Sequence, residues 1–166
     1  MAEFKLKGNT FNTVGDLPAV GADAPAVTLV KDDLSDLELE TFKGQRVVLN
    51  CFPSLDTDVC AASVRQFNAR AADLENTSVV CVSMDLPFAM KRFCNAEGLD
   101  RVVNASDFRE GAFGRAYGNR IADGPLTGLL ARSVIVVNED GDVIYTELCP
   151  ETTEEPDYDA ALAALG

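Results

Sequence analysis

The chain has 166 residues, 47% hydrophobic and 25% charged, long enough to bury a core of its own and too polar for a membrane protein. Its 14 Lys and Arg against 27 Asp and Glu leave a net charge of −13, a field that repels phosphate backbones and anionic lipid, so neither nucleic acid nor a membrane surface is an expected partner. With no histidine, the commonest general base and metal ligand is missing, and any chemistry must run without imidazole.

Phe4 and Leu6, then Phe11 and Val14, flank Gly8-Asn9 and predict a hairpin of two short strands around a Gly-Asn turn. A loop bearing Gly15, Pro18, Gly21 and Pro25 precedes two short strands over residues 26–30 and the alternating 37–40. Residues 46–52 form an apolar run stopped by Pro53, the pattern of a strand covered on both faces. From Asp58 to about Leu74, Val59, Phe67, Ala71 and Leu74 recur at helical spacing, with Arg65 and Arg70 on other faces. Residues 78–84 read as a second buried strand, and Pro87 opens a short helix over 88–95. After Gly98 come a Val102-Val103 strand, a helix from Phe108 to Tyr117 closed by Gly118, and a loop over 119–130. Residues 133–137 and 143–148 form an antiparallel hairpin around Asn138–Asp142, and 157–165 a closing helix. This order predicts an α/β protein with a thioredoxin-like mixed sheet flanked by helices, an N-terminal β-hairpin extension, and one domain over residues 1–166.

The reactive inventory is five cysteines, Cys51, Cys60, Cys81, Cys94 and Cys149, an odd count with no C-x-x-C pair. Neither a zinc ribbon nor a thioredoxin dithiol is supported, and no metal or organic cofactor is expected. The first residues lack the apolar core of a signal peptide, and no run approaches the roughly 20 apolar residues of a spanning helix. A cytoplasmic protein is expected, in which a functional disulfide is transient and catalytic rather than structural. Cys51 and Cys81 lie in apolar strand runs and read as core; Cys149, beside Pro150, reads as an incidental thiol able to form a secondary disulfide.

Cys60 differs, because it falls in the first turn of the long predicted helix. Unpaired backbone N–H groups and the positive end of the helix dipole favour a thiolate there without a histidine. Pro53 fixes the chain where strand turns to helix, and Thr57 can cap the helix or set its hydroxyl beside the sulfur. Asp56 and Asp58 oppose a thiolate, so a cation from elsewhere is needed. A phosphatase loop is not supported, since four residues rather than five separate Cys60 from Arg65 and none is glycine.

Pro53-x-x-x-Thr57-x-x-Cys60 matches the Pro-x-x-x-Thr/Ser-x-x-Cys signature of the peroxiredoxins. The stretches around it, together with Arg92-Phe93-Cys94-Asn95-Ala96-Glu97-Gly98, Ala122-Asp123-Gly124-Pro125-Leu126 and Glu155-Pro156-Asp157-Tyr158, resemble the bacterial thiol peroxidase group, an atypical two-cysteine class, over nearly the whole chain. The resemblance implies Cys60 as the peroxidatic cysteine, Cys94 as the resolving cysteine of the same chain, Thr57 as the hydroxyl partner and Arg132 as the cation. It further implies reduction of hydrogen peroxide and organic hydroperoxides, recycling by thioredoxin or a similar dithiol, and a homodimer. Asp58, where the group often has a small residue, and the extra thiols Cys51 and Cys149 depart from the pattern. Phe52, Phe88 and Phe93 are candidates for an apolar approach to the site, or simply core. The competing readings are a redox-sensing or binding module without efficient turnover, and a disulfide oxidoreductase, which the missing C-x-x-C pair disfavours.

Overall fold

The computed structural model describes residues 1–166. In chain order it contains strands β1 (Glu3–Leu6), β2 (Asn9–Asn12), β3 (Thr28–Lys31), β4 (Asp36–Glu38) and β5 (Arg46–Cys51), helix α1 (Asp58–Ala71), β6 (Thr77–Ser83), α2 (Pro87–Glu97), β7 (Val102–Ser106), α3 (Ala112–Ala116), β8 (Ser133–Val137), β9 (Val143–Leu148) and α4 (Tyr158–Ala163). Seven strands make one mixed sheet in the order β4-β3-β7-β6-β5-β8-β9, and β1 and β2 pair apart from it. The three central strands β7, β6 and β5 are parallel, joined through α1 and α2, while β3 and β8 flank them antiparallel. That is the expected thioredoxin-like architecture with its hairpin extension.

Period-two alternation in the central strands sorts side chains onto two apolar faces. Leu49, Cys51, Val80 and Val82 pack with Phe113 and Tyr117 on one face. Val48, Val79 and Cys81 pack with Cys60, Phe67, Met90 and Tyr158 on the other. Both faces are covered, so β5 and β6 read as continuous apolar runs. The carboxyl ends of the parallel strands, where α1 and α2 begin, are where an open α/β sheet offers a crevice.

Several local expectations are corrected by tertiary contacts. The first hairpin turns at Lys7-Gly8, one residue earlier than the Gly8-Asn9 reading, because Leu6 pairs with Asn9. Lys7 and Gly8 both have positive φ, 52° and 83°, as a two-residue hairpin turn requires. The Glu151 carboxylate accepts from their N–H groups at 3.0 and 3.1 Å, which offsets the strain at the non-glycine position. The first strand of the main sheet spans Thr28–Lys31 rather than 26–30, and Val102-Val103 extends through Ser106.

The strand expected over 37–40 stops at Glu38 and continues as a 3-10 turn, Leu39–Phe42. Spacing of three sets Leu39 and Phe42 together on the core, which strand alternation would not. The helix expected over 108–117 is only Ala112–Ala116: Gly111, at φ 64°, ends it upstream, and the buried Asp107 carboxylate accepts from Phe113 and Gly114 N–H at 3.0 Å each. α1 ends at Ala71 rather than Leu74, α2 runs to Glu97 rather than 95, and α4 is Tyr158–Ala163.

Candidate active site

α1 opens after Thr57, which has extended backbone angles, so Cys60 lies in its first turn. Thr57 is at the cap position but does not cap: its hydroxyl donates to the Ser54 carbonyl at 2.9 Å. The Thr57 N–H reaches the same carbonyl at 3.3 Å, so residues 54–57 form a tight turn that aims the side chain away from the helix end. The helix-start N–H groups are left without a side-chain acceptor, and their partial positive charge acts on what lies beside them. No hydrogen bond joins Thr57 to the Cys60 sulfur.

Arg132 immediately precedes β8, and its side chain crosses to α1. Its Nη2 donates to Cys60 Sγ at 3.1 Å, and its Nε donates to the Thr152 carbonyl at 2.9 Å. Thr152 is itself held by the hairpin extension, its N–H donating to the Lys5 carbonyl at 2.8 Å while Lys5 N–H donates to Pro150 at 2.8 Å. The remaining guanidinium nitrogen, Nη1, is buried with no protein acceptor. A buried donor left unsatisfied costs about 1–3 kcal/mol, so this nitrogen favours any oxygen brought to it.

Cys60 is 0% exposed and Arg132 only 3%, whereas Asp56 and Asp58 are on the surface. Burial decides between them. A unit charge pair at 4 Å is worth about 4 kcal/mol at an effective dielectric near 20 and loses about three quarters of that in bulk water. The buried guanidinium in contact with the sulfur therefore acts with more strength per charge than either solvated carboxylate. Asp56 also faces Arg92 at 3.9 Å.

Pro53, Thr57 and Arg132 line an open cleft of about 490 Å³ whose apolar wall includes Leu6, Leu126 and Leu129. None of Phe52, Phe88 and Phe93 lines it: Phe52 is fully buried core and Phe88 is 65% exposed. The hairpin extension thus contributes Leu6 and Lys7 to the cleft, which hydrophobic patterning alone gave no reason to expect.

Cys94, near the end of α2, is buried, and Asn104 Nδ2 donates to its sulfur at 3.1 Å. Burial pushes its thiol above the usual range, and the Asn104 hydrogen bond partly opposes that. All five cysteines are free thiols. The partner of Cys60 comes from the start of β8 and that of Cys94 from β7, three strand spacings or roughly 14 Å across the sheet. The structure thus gathers Pro53, Thr57 and Arg132 at one cleft, with Cys60 buried behind it in contact with Arg132, and holds Cys94 on a separate anchor.

The other three thiols are buried too. Burial pushes Cys51 up to about 12 and Cys149 up to about 12, and raises Cys81 further still. Such thiols stay protonated and inert at neutral pH. Asn104 and Thr152 went unmarked in the sequence because each acts through a contact with a residue 10 or 20 positions away. For Asn104 the one available signal was position, a polar residue inside an otherwise apolar strand.

Residues 19–162 match the redoxin family model. Over 166 residues the chain is 58% identical to a thiol peroxidase of Mycobacterium tuberculosis, spanning 100% of this chain and 99% of that relative. It is 53% identical over 165 residues to a thiol peroxidase of Corynebacterium glutamicum, spanning 99% of each. The crystal structure of a peroxiredoxin-like protein from Aquifex aeolicus superposes with a TM-score of 0.93 at 40% identity, covering 99% of this chain and 96% of that one. A buried thiol against a guanidinium at the head of a helix is chemistry in keeping with those relatives, and the chain belongs to the redoxin family, in the thiol peroxidase group of the peroxiredoxins, as a peroxidase oxidoreductase.

Proposed function

We propose that the Cys60 thiolate is the nucleophile of this thiol-dependent peroxidase and that Cys94 resolves it. The observation that carries the reading is the Arg132 side chain, with one N–H group on Cys60 Sγ at 3.1 Å and another buried without an acceptor. The first favours the thiolate, and the second is free for a peroxide oxygen. The thiolate attacks the O–O bond along its axis; sulfur takes one oxygen as a sulfenic acid, and the other leaves with the electron pair and is protonated to water or an alcohol. Charge develops on that leaving oxygen, which is where a fixed guanidinium donor lowers the barrier most. Thr57, on the cleft wall, is the hydroxyl partner, and Pro53 shields the thiolate from bulk water.

Cys94 then attacks the Cys60 sulfenic sulfur, giving an intrachain disulfide and releasing water. An external dithiol returns both thiols by exchange, and thioredoxin is the proposed reductant. Hydrogen peroxide and organic hydroperoxides are both proposed substrates, since the cleft is open and has an apolar wall. Residues 1–166 would act as one domain, as a homodimer in the cytoplasm; no helix is long and apolar enough to cross a membrane. The test is peroxide consumption coupled to thioredoxin, its reductase and NADPH. Many turnovers per chain, abolished by Cys60→Ser in a folded protein, support the reading; consumption of one peroxide per chain would leave only a sensor, and turnover by the Cys60→Ser variant would sink the assignment.

A further inference from the structure

Asp85 follows the end of β6 and stands two residues before the start of α2, outside the sequence signature. Its half-buried carboxylate forms no ion pair. It accepts instead from the Ser54 hydroxyl at 2.7 Å, the Leu55 N–H at 2.8 Å and the Ser83 hydroxyl at 2.7 Å. Two of these donors belong to the turn that leads into α1, about 30 residues away in sequence. The Asp85 backbone is held from the other side, its N–H donating to the Ser83 hydroxyl at 3.2 Å and its carbonyl accepting from the Ser106 hydroxyl.

Ser54 passes this anchorage on. Its hydroxyl, while donating to Asp85, accepts from the Asp56 N–H at 3.1 Å, and its carbonyl takes both the N–H and the hydroxyl of Thr57. Leu55 is buried in the same apolar cluster as Cys60. A carboxylate that spends its charge on hydrogen-bond donors of one short turn gains geometry rather than an ion pair, and charge-assisted bonds are the strong ones.

We propose that Asp85 is a positioning residue for the peroxide step, latching the Ser54–Thr57 turn to the end of β6 so that Cys60 stays in register with Arg132 and the cleft. The proposal rests on Cys60 being the nucleophile. Asp85 touches neither peroxide nor sulfur and acts through Ser54 and Leu55. The latch favours the arrangement that meets peroxide and opposes the opening of the α1 start that a disulfide with Cys94 requires. Weakening it therefore has opposite effects on the two steps, which loss of general stability does not produce.

Asp85→Asn keeps the volume but removes the charge and one acceptor oxygen, so either the Leu55 N–H loses its acceptor or the charge-assisted Ser54 bond is lost or reversed, whichever way the amide turns. The measurement is rapid quench of the reduced protein with hydrogen peroxide, followed by thiol alkylation and mass spectrometry, a readout suited to a chain with no tryptophan. Oxidation of Cys60 is expected to slow about tenfold while disulfide formation is as fast as in the parent or faster. Ser54→Ala, which removes one latch bond, is expected to slow oxidation about threefold, and the double variant to be no slower than Asp85→Asn alone. Oxidation within twofold of the parent in a folded Asp85→Asn protein overturns the proposal, as do additive effects or equal slowing of both steps. If Asp85→Asn does not fold, Ser54→Ala decides, an unchanged oxidation rate being the contrary result. Peroxide reduction retained by Cys60→Ser would instead remove the underlying reading, whatever Asp85 does.

Discussion

Arg132 and Cys60 are 72 residues apart in sequence and meet at 3.1 Å, guanidinium Nη2 to sulfur, both buried. The contact is made from the start of β8 to the first turn of α1, and the Thr152 carbonyl fixes the guanidinium from behind. Strand pairing sets this distance: Ser133, next to Arg132, pairs with Cys51 at the end of β5, from which the chain runs through Pro53 into α1.

Replacing Arg132 by Met keeps the bulk and removes the charge and donors. The peroxide step is expected to slow by about 100-fold or more, the range for losing a preorganised donor. Reduction of a preformed disulfide is expected to be unchanged. Single-turnover oxidation by peroxide measures this, and an unaltered oxidation rate would make Arg132 structural only.

Cys94→Ser is expected to consume about one peroxide per chain and then stop or overoxidise, because the sulfenic acid has lost its partner. Mass spectrometry of the product is the check. Full thioredoxin-coupled turnover in this variant would move the resolving role to another thiol, Cys149 first, since its N–H bonds the Arg132 carbonyl at 3.0 Å.

The separate anchors of the two cysteines predict motion. A disulfide needs Cα atoms about 4.4–6.8 Å apart, whereas Arg132 and Asn104 hold the two sulfurs from strands three spacings apart. The Arg65–Glu97 pair, with bonds of 3.0 and 2.9 Å, also ties α1 to α2 in the reduced protein. Hydrogen exchange is expected to quicken on oxidation over about residues 56–64 and 88–98 and to stay unchanged in β5 to β8. Identical protection in both redox states would show that no such opening occurs.

The buried thiols predict alkaline sensitivity. Unfolded cysteine titrates near roughly 8.5–9, while burial holds Cys51 and Cys149 each at about 12. Between those values the native state binds more protons than the unfolded state, so stability is complete below the unfolded pKa and falls as pH rises. Cys51→Ala is expected to lessen the downward slope of unfolding free energy between pH 8.5 and 9.8 by up to about 1.4 kcal/mol per pH unit. Urea melts across that window provide the measurement, and an unchanged slope would show that Cys51 is not held protonated.

Local pattern carried much of this protein. The apolar run before Pro53, the helical spacing from Val59 to Ala71 and the Pro87 start of α2 are consequences of short-range sterics and periodicity, and they placed Cys60 at a helix start. Short-range rules failed where distant groups competed for the backbone: Glu151 moved the first turn to Lys7-Gly8, Asp107 and Gly111 shortened α3, and the Ser54 carbonyl took the Thr57 hydroxyl away from its cap. Arg132 was named only through a family resemblance; its contact with Cys60, the Asn104 bond to Cys94 and the Asp85 latch exist because strand order sets residues 10 to 72 positions apart side by side. Periodicity along a chain fixes which face a side chain takes, but which strand lies beside it is settled by pairing and packing of the whole sheet.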